Sequence, residues 1–181
     1  MNTTNFTVPG MSDSNASKTI SILGERMIAL IDLALTLKHI HWNVVGPNFI
    51  AVHKMLDPQV DAARAMVDEI AERIATLGGE PVGTPAAIVE RRSWNDYSLG
   101  KALVNEHLAA LDVVYNGVNE DSREAIAQLG KLDPVSEDMM IGYLRELELA
   151  QWFVRAHLES ADGKLPTSGV DTLKGAAKSV D

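Results

Sequence analysis

The sequence predicts an all-α fold, a four-helix bundle with a long crossover connection between helices 2 and 3 that contains a short extra helix. Three observations predict it. Apolar residues recur at alternating steps of three and four through four long segments, the pattern of helices with one buried face. Two of the three connections are short breaks built from Gly, Pro and Asn, "NVVGPN" and "GKLDP". The remaining one, residues 78–97, is long. Short loops make antiparallel helix pairs, so the long one must run the length of the bundle to join them.

The first helix, residues 14–41, carries Leu23, Met27, Leu30, Ala34, Leu37 and His41 on one face. Gly46 and Pro47 stop it and restart the chain. The second, from Phe49 to Leu77, buries Leu56, Val60, Ala63, Val67, Ile70 and Ile74. In the connection, Thr84 and Pro85 mark the cap and first residue of a short helix, "PAAIVE". A third helix over 98–129 shows Leu103, Leu111, Val114, Val118, Ala125 and Leu129. A fourth over 135–160 shows Met140, Leu144, Leu147, Gln151, Val154 and Leu158. The domain therefore spans 14–160, and residues 1–13 and 161–181 are expected to be flexible tails.

Composition narrows the function. Lys and Arg number 16 against 25 Asp and Glu, a net charge of −9. That balance opposes broad affinity for nucleic acid or anionic lipid and suits a protein that attracts cations. There is no cysteine, which removes disulfides and thiolate metal sites and makes cytoplasm the expected compartment. The N-terminus has neither a basic start nor an apolar run, so no signal peptide is expected, and no apolar run is long enough to span a membrane. The glycosylation triplets at Asn5 and Asn15 read as chance matches.

The chemistry concentrates in "HWNVVGPNFIAVHKMLD", residues 41–57, and in "DEIAER", which begins at Asp68. Bundles that hold two irons inside one chain carry Glu-x-x-His pairs, and none of the five histidines here has a glutamate three residues before it. On the second helix, His53, Asp57, Asp68 and Glu72 fall at roughly 0°, 40°, 60° and 100°, a single face. Yet His53 and Glu72 stand roughly 28 Å apart along the axis. No single metal bridges that. An antiparallel pairing of this helix with its copy across a two-fold axis resolves the problem. The numbers 53 and 72 sum to 125, as do 57 and 68, and Asp61 with Arg64 gives the same sum. Each half-site would be completed by the partner, and a two-fold contact makes two equal sites. His41 would supply the second imidazole. Taken singly, Asp57 or Asp68 reads as part of a solvated face, and each histidine as a hydrogen-bonded core residue. The joint pattern favours a shared site of two imidazoles and three carboxylates, suited to iron(II) and also acceptable to zinc, manganese or cobalt.

These residues and their spacing resemble the Dps family (DNA-binding proteins from starved cells), mini-ferritins of the ferritin-like superfamily. The resemblance covers residues 14–160 and includes "QWFVRAHLE" in the fourth helix. It implies a hollow homododecamer that oxidises Fe(II), with hydrogen peroxide favoured over O2, and stores ferric iron inside as protection against peroxide stress. The catalytic and metal-holding residues it implies are His41, His53 and Asp57 of one subunit with Asp68 and Glu72 of the two-fold mate. Trp42 would be an electron donor beside the site or a packing aromatic. Asp133 and Asp138 would line an entrance pore, or else serve as a turn residue and a partner of the helix dipole.

The remaining histidines read as structural. His39 points about 200° away from His41, His107 belongs to the core, and His157 lies in the last turn of the fourth helix. Weak or absent DNA binding is expected. The tail through Ala16 has no basic residue, and Lys164, Lys174 and Lys178 are matched by Asp162, Asp171 and Asp181. Three rival readings are a metal-dependent amide or ester hydrolase using the same ligands, a DNA-compacting nucleoid protein, and a plain bundle with a solvated acidic face.

Overall fold

The structure is a computed structural model, and it describes residues 7–180. Helix α1 spans Asp13–Asn43 and begins where the Ser12 hydroxyl accepts from the Asn15 N–H at 3.2 Å. That bond satisfies one of the donors a helix start leaves open. Leu23, Met27, Leu30, Leu33, Leu37 and Ile40 form its buried stripe. Gly46, at φ +97°, turns the chain beyond it, and Asn48, at φ +62°, opens α2, Phe49–Thr76. Pro58 lies inside α2 on its solvent side. It removes one helical donor without breaking the helix, because Leu56, Val60 and Ala63 beside it are anchored in the core.

The connection carries α3, Pro85–Arg91, with Pro85 at its first position; Thr84 caps by backbone position and not with its hydroxyl. Just past α3, Arg92 grips the buried Asp32 of α1 through Nε and Nη2 at 2.9–3.1 Å. The connection then returns to the end of α1. Its last residues, β2 (Ala102–Leu103), pair in parallel with β1 (Val44–Val45), Val44 opposite Ala102. Helices α4 (Val104–Leu129) and α5 (Pro134–Leu158) form the second antiparallel pair. Leu108, Leu111, Tyr115, Leu147 and Val154 close the core against α1 and α2. Each fully buried Leu contributes about 1.5–3 kcal/mol relative to exposure.

Two expectations are corrected. The third helix starts at Val104, not 98. Residues before it are held as strand and loop, the Glu106 carboxylate accepts from the Leu103 N–H at 2.6 Å, and Leu103 is exposed instead of buried. Residues 161–180, expected as a mobile tail, instead fold back over α4. There α6, Leu173–Lys178, buries Ala176 and Ala177. Small side chains permit the close approach, and a buried acid fastens it. Asp112, only 1% exposed, accepts from Thr167 Oγ1 at 2.7 Å, Gln151 Nε2 at 2.8 Å and Arg155 Nε at 2.7 Å. A buried carboxylate needs such donors, and Thr167 comes from the very segment that sequence alone left loose. At the other terminus, residues 1–6 of the expected tail lie outside the described residues.

Candidate metal centre

The end of α1 leaves its last carbonyls without helical partners, and the site grows from one of them. His53 Nδ1 donates to the His41 carbonyl at 2.9 Å, and His41 Nδ1 donates to the His53 carbonyl at 3.0 Å. The rings stack with centroids 3.6 Å apart and 25° between planes. Because a carbonyl only accepts, each Nδ1 carries the proton and each Nε2 keeps its lone pair. That is the tautomer a metal-binding imidazole needs, and the backbone alone fixes it. Phe49 leans on the His53 ring at 5.0 Å, and His41 is 8% exposed.

Asp57, one turn beyond His53, brings Oδ1 to 3.3 Å from His41 Nδ1 and 2.6 Å from Lys38 Nζ. The Lys38 ammonium, more than the nearby imidazoles, holds the Asp57 carboxyl below the usual carboxylate range. Lys38 was not singled out in the sequence. Its place one turn before His41 on the same helix was the available signal.

The structure thus brings His41, His53 and Asp57 together and leaves Asp68 and Glu72 apart, eleven and fifteen residues beyond Asp57 on α2. Both are exposed, and neither carboxylate has a partner among the described residues. Asp61 and Arg64 between them are likewise exposed and unpaired. Within the described residues of one chain, no group of three or more His, Asp or Glu is arranged to hold a metal ion.

The other singled-out residues are placed plainly. Trp42 is 72% exposed, so packing inside its own chain does not account for it. Asp133 caps α5, accepting from the Ser136 N–H at 3.2 Å, and pairs with Arg73 Nη2 of α2 at 2.6 Å. Burial raises its pKa, but Arg73 and Ser136 outweigh that and hold it below the ordinary value. Its carboxylate is therefore committed to the turn and cap, while Asp138 is exposed. His39 Nε2 donates to the Leu99 carbonyl at 2.7 Å, and His157 Nδ1 to that of Phe153 at 2.7 Å.

Residues 20–163 match the family model described as a ferritin-like domain. A DNA protection during starvation protein from Mycolicibacterium smegmatis is 58% identical over 174 residues, 96% of this chain and 95% of its own. The chain belongs to the Dps family of ferritin-like proteins. Solved Dps structures agree. The tetragonal form of Mycobacterium smegmatis Dps superposes with a TM-score of 0.89 at 59% identity, covering 90% of this chain and 98% of that one. DpsA14 from Streptomyces coelicolor gives 0.89 at 59%, covering 91% and 98%. The Dps assignment makes the bundle with its short crossover helix the family fold. Among the described residues, no helix of this Dps chain is long and apolar enough to cross a membrane.

Proposed function

We propose that this Dps chain is an iron-oxidising, iron-storing mini-ferritin whose dinuclear ferroxidase sites are shared between two-fold-related subunits of a homododecamer. Fe(II) is its substrate and ferric mineral its product, with hydrogen peroxide the favoured oxidant and O2 the alternative. The observation that carries the reading is the reciprocal imidazole–carbonyl lock of His41 and His53, which keeps the lone pair of each Nε2 available, with Asp57 Oδ1 held 3.3 Å from His41 Nδ1. Asp68 and Glu72 of the mate would add carboxylates that favour iron(III) once it forms. The unpaired state of Asp61, Arg64, Asp68 and Glu72 along one exposed face of α2 supports the pairing. Trp42, next to His41 in sequence and exposed, is the candidate electron donor.

In this reading DNA is spared by removing iron and peroxide together, inside the cytoplasm, and not by coating. The net charge of −9 and the absence of a free basic arm in 161–180 support weak or absent DNA binding. A robust gel shift near neutral pH and moderate salt would overturn that part.

The test of the whole is direct. Apo-protein mixed anaerobically with Fe(II) is given peroxide or air, and ferric absorbance is followed beside an Asp68→Ala/Glu72→Ala variant. Rapid oxidation that keeps iron soluble and vanishes in the variant supports the proposal. Buffer-like behaviour of both sinks it.

A further inference from the structure

A cavity of about 650 Å³ lies where the C-terminal segment crosses α4 and α5, and no residue of the metal centre borders it. That volume is far above what a single inorganic ion fills and falls among small-molecule sites. Asp112 and Asn116 of α4 and Arg155 of α5 line one side, and Gly163, Leu165 and Val170 help to line the other. Two successive turns build the loop on that second side. The Leu165 carbonyl accepts from the Ser168 N–H at 3.2 Å, and the Thr167 carbonyl from the Val170 N–H at 3.1 Å. Gly169, at φ +74°, takes the left-handed position inside the second turn.

Arg155 carries the recognition chemistry. Its Nε donates to Asp112 Oδ1 at 2.7 Å, and its Nη2 donates to Asn116 Oδ1 at 2.7 Å. Gln151 Nε2 donates to the same Asn116 oxygen at 2.8 Å. These bonds engage one edge of the guanidinium and pin its plane. The other edge, Nη1 with the second N–H of Nη2, has no partner among the described residues, and 37% of the side chain stays exposed. Parallel N–H groups on a fixed guanidinium match the two oxygens of a carboxylate.

The surrounding charges narrow the ligand further. Asp112 is already satisfied by its three donors, and Lys164 pairs with Asp162 at 2.6 Å. Asp171 borders the cavity exposed and unpaired among the described residues. The Glu159 carboxylate lies 3.6 Å from where a Cβ on Gly163 would stand. A polyanion would meet both of these acids, whereas a single carboxylate needs only the Arg155 edge. Leu165 and Val170, both half-buried, offer a short carbon chain an apolar wall.

We propose that this cavity binds a small organic monocarboxylate, held by the Nη1–Nη2 edge of Arg155 with its apolar body against Leu165 and Val170. The ligand bridges α5 and the loop above it, so its binding tightens residues 161–180 onto the bundle. It adds to the Asp112–Thr167 bond a second tie between that segment and the helices.

The test titrates butyrate into the full-length, iron-free protein and follows the heat of binding together with amide exchange of residues 161–180. Butyramide, succinate and phosphate are titrated in parallel. We expect saturable butyrate binding that slows exchange across 161–180, with each comparison compound weaker by about tenfold or more, the worth of one charge-assisted hydrogen bond. Arg155→Lys keeps the charge without the two-pronged edge, and Asn116→Asp keeps the acceptor while neutralising the guanidinium. Each should weaken butyrate by about tenfold. If Arg155→Lys loosens 161–180 before any ligand is added, Asn116→Asp alone decides. Wild-type protein that binds no butyrate overturns the proposal. So does butyrate held equally by wild type and Asn116→Asp, or succinate or phosphate held as tightly as butyrate.

Discussion

At the N-terminal end of α2, His53 is locked to His41 by two backbone hydrogen bonds and a stacked ring, whereas further along the same helix Asp68 and Glu72 stand in solvent unpartnered among the described residues. The difference follows from the side chains. An imidazole must present one particular nitrogen, so its other nitrogen needs a fixed acceptor. A carboxylate offers two equivalent oxygens and can be oriented by whatever arrives. Under the proposed function, the chain organises the imidazole half in advance and leaves the acidic half open to a partner.

Substitutions at the two ends should separate activity from stability. His53→Ala and Glu72→Ala should each slow iron oxidation by about 100-fold or more, since losing even an outer partner of a metal ligand costs about 10–100-fold in affinity. Only His53→Ala should also lower stability, by about 1–3 kcal/mol in urea unfolding, because it strands hydrogen-bonding groups. Glu72→Ala should stay within about 0.5 kcal/mol. Equal stability losses at both ends would break the comparison.

Away from both ends, Asp112→Ala should cost about 3–5 kcal/mol, near the usual loss from breaking a buried ion pair, and should free residues 161–180 to rapid amide exchange. The oxidation rate per folded protein should not change. A fall in rate would mean that the C-terminal clamp reaches the site.

The Arg73–Asp133 pair sharpens the acidic end, because Arg73 follows Glu72 directly and would neutralise it if released. The Asp133 pKa is lower folded than unfolded, so its contribution is complete above the unfolded value of about 3.9 and disappears as pH falls through the folded one. Asp133→Asn should lose about 1.5–3 kcal/mol at neutral pH and flatten the acid limb of a urea-midpoint series. The smallest effect belongs to Lys38→Met. A solvent-facing ion pair is screened by water and adds little to stability, and the Asp57 carboxyl should titrate higher by NMR once its ammonium neighbour is gone.

The four long helices were legible because each keeps a single apolar face, and His41, His53 and Asp57 because they fall on faces that a short loop brings together. Other features were hidden for physical reasons. Strand β2 has only two residues and is paired by a backbone match far away in sequence, which no periodicity reveals. Helix α6 is short and rich in Ala and Lys, so its burial depends on the Asp112 donors and not on its own pattern. Asp133 looked available to a pore, but Arg73 lies sixty residues earlier in sequence and could not be matched to it by spacing.

The central claim is that each site is completed across the two-fold axis, and subunit mixing tests it most directly. His41→Ala/His53→Ala and Asp68→Ala/Glu72→Ala variants, each inactive alone, are unfolded together, refolded as a mixture and assayed for iron oxidation. Random pairing makes half the dimers mixed, each with one intact site of two, so roughly a quarter of wild-type activity should return. If each chain builds its own site, the mixture should remain as inactive as its parts.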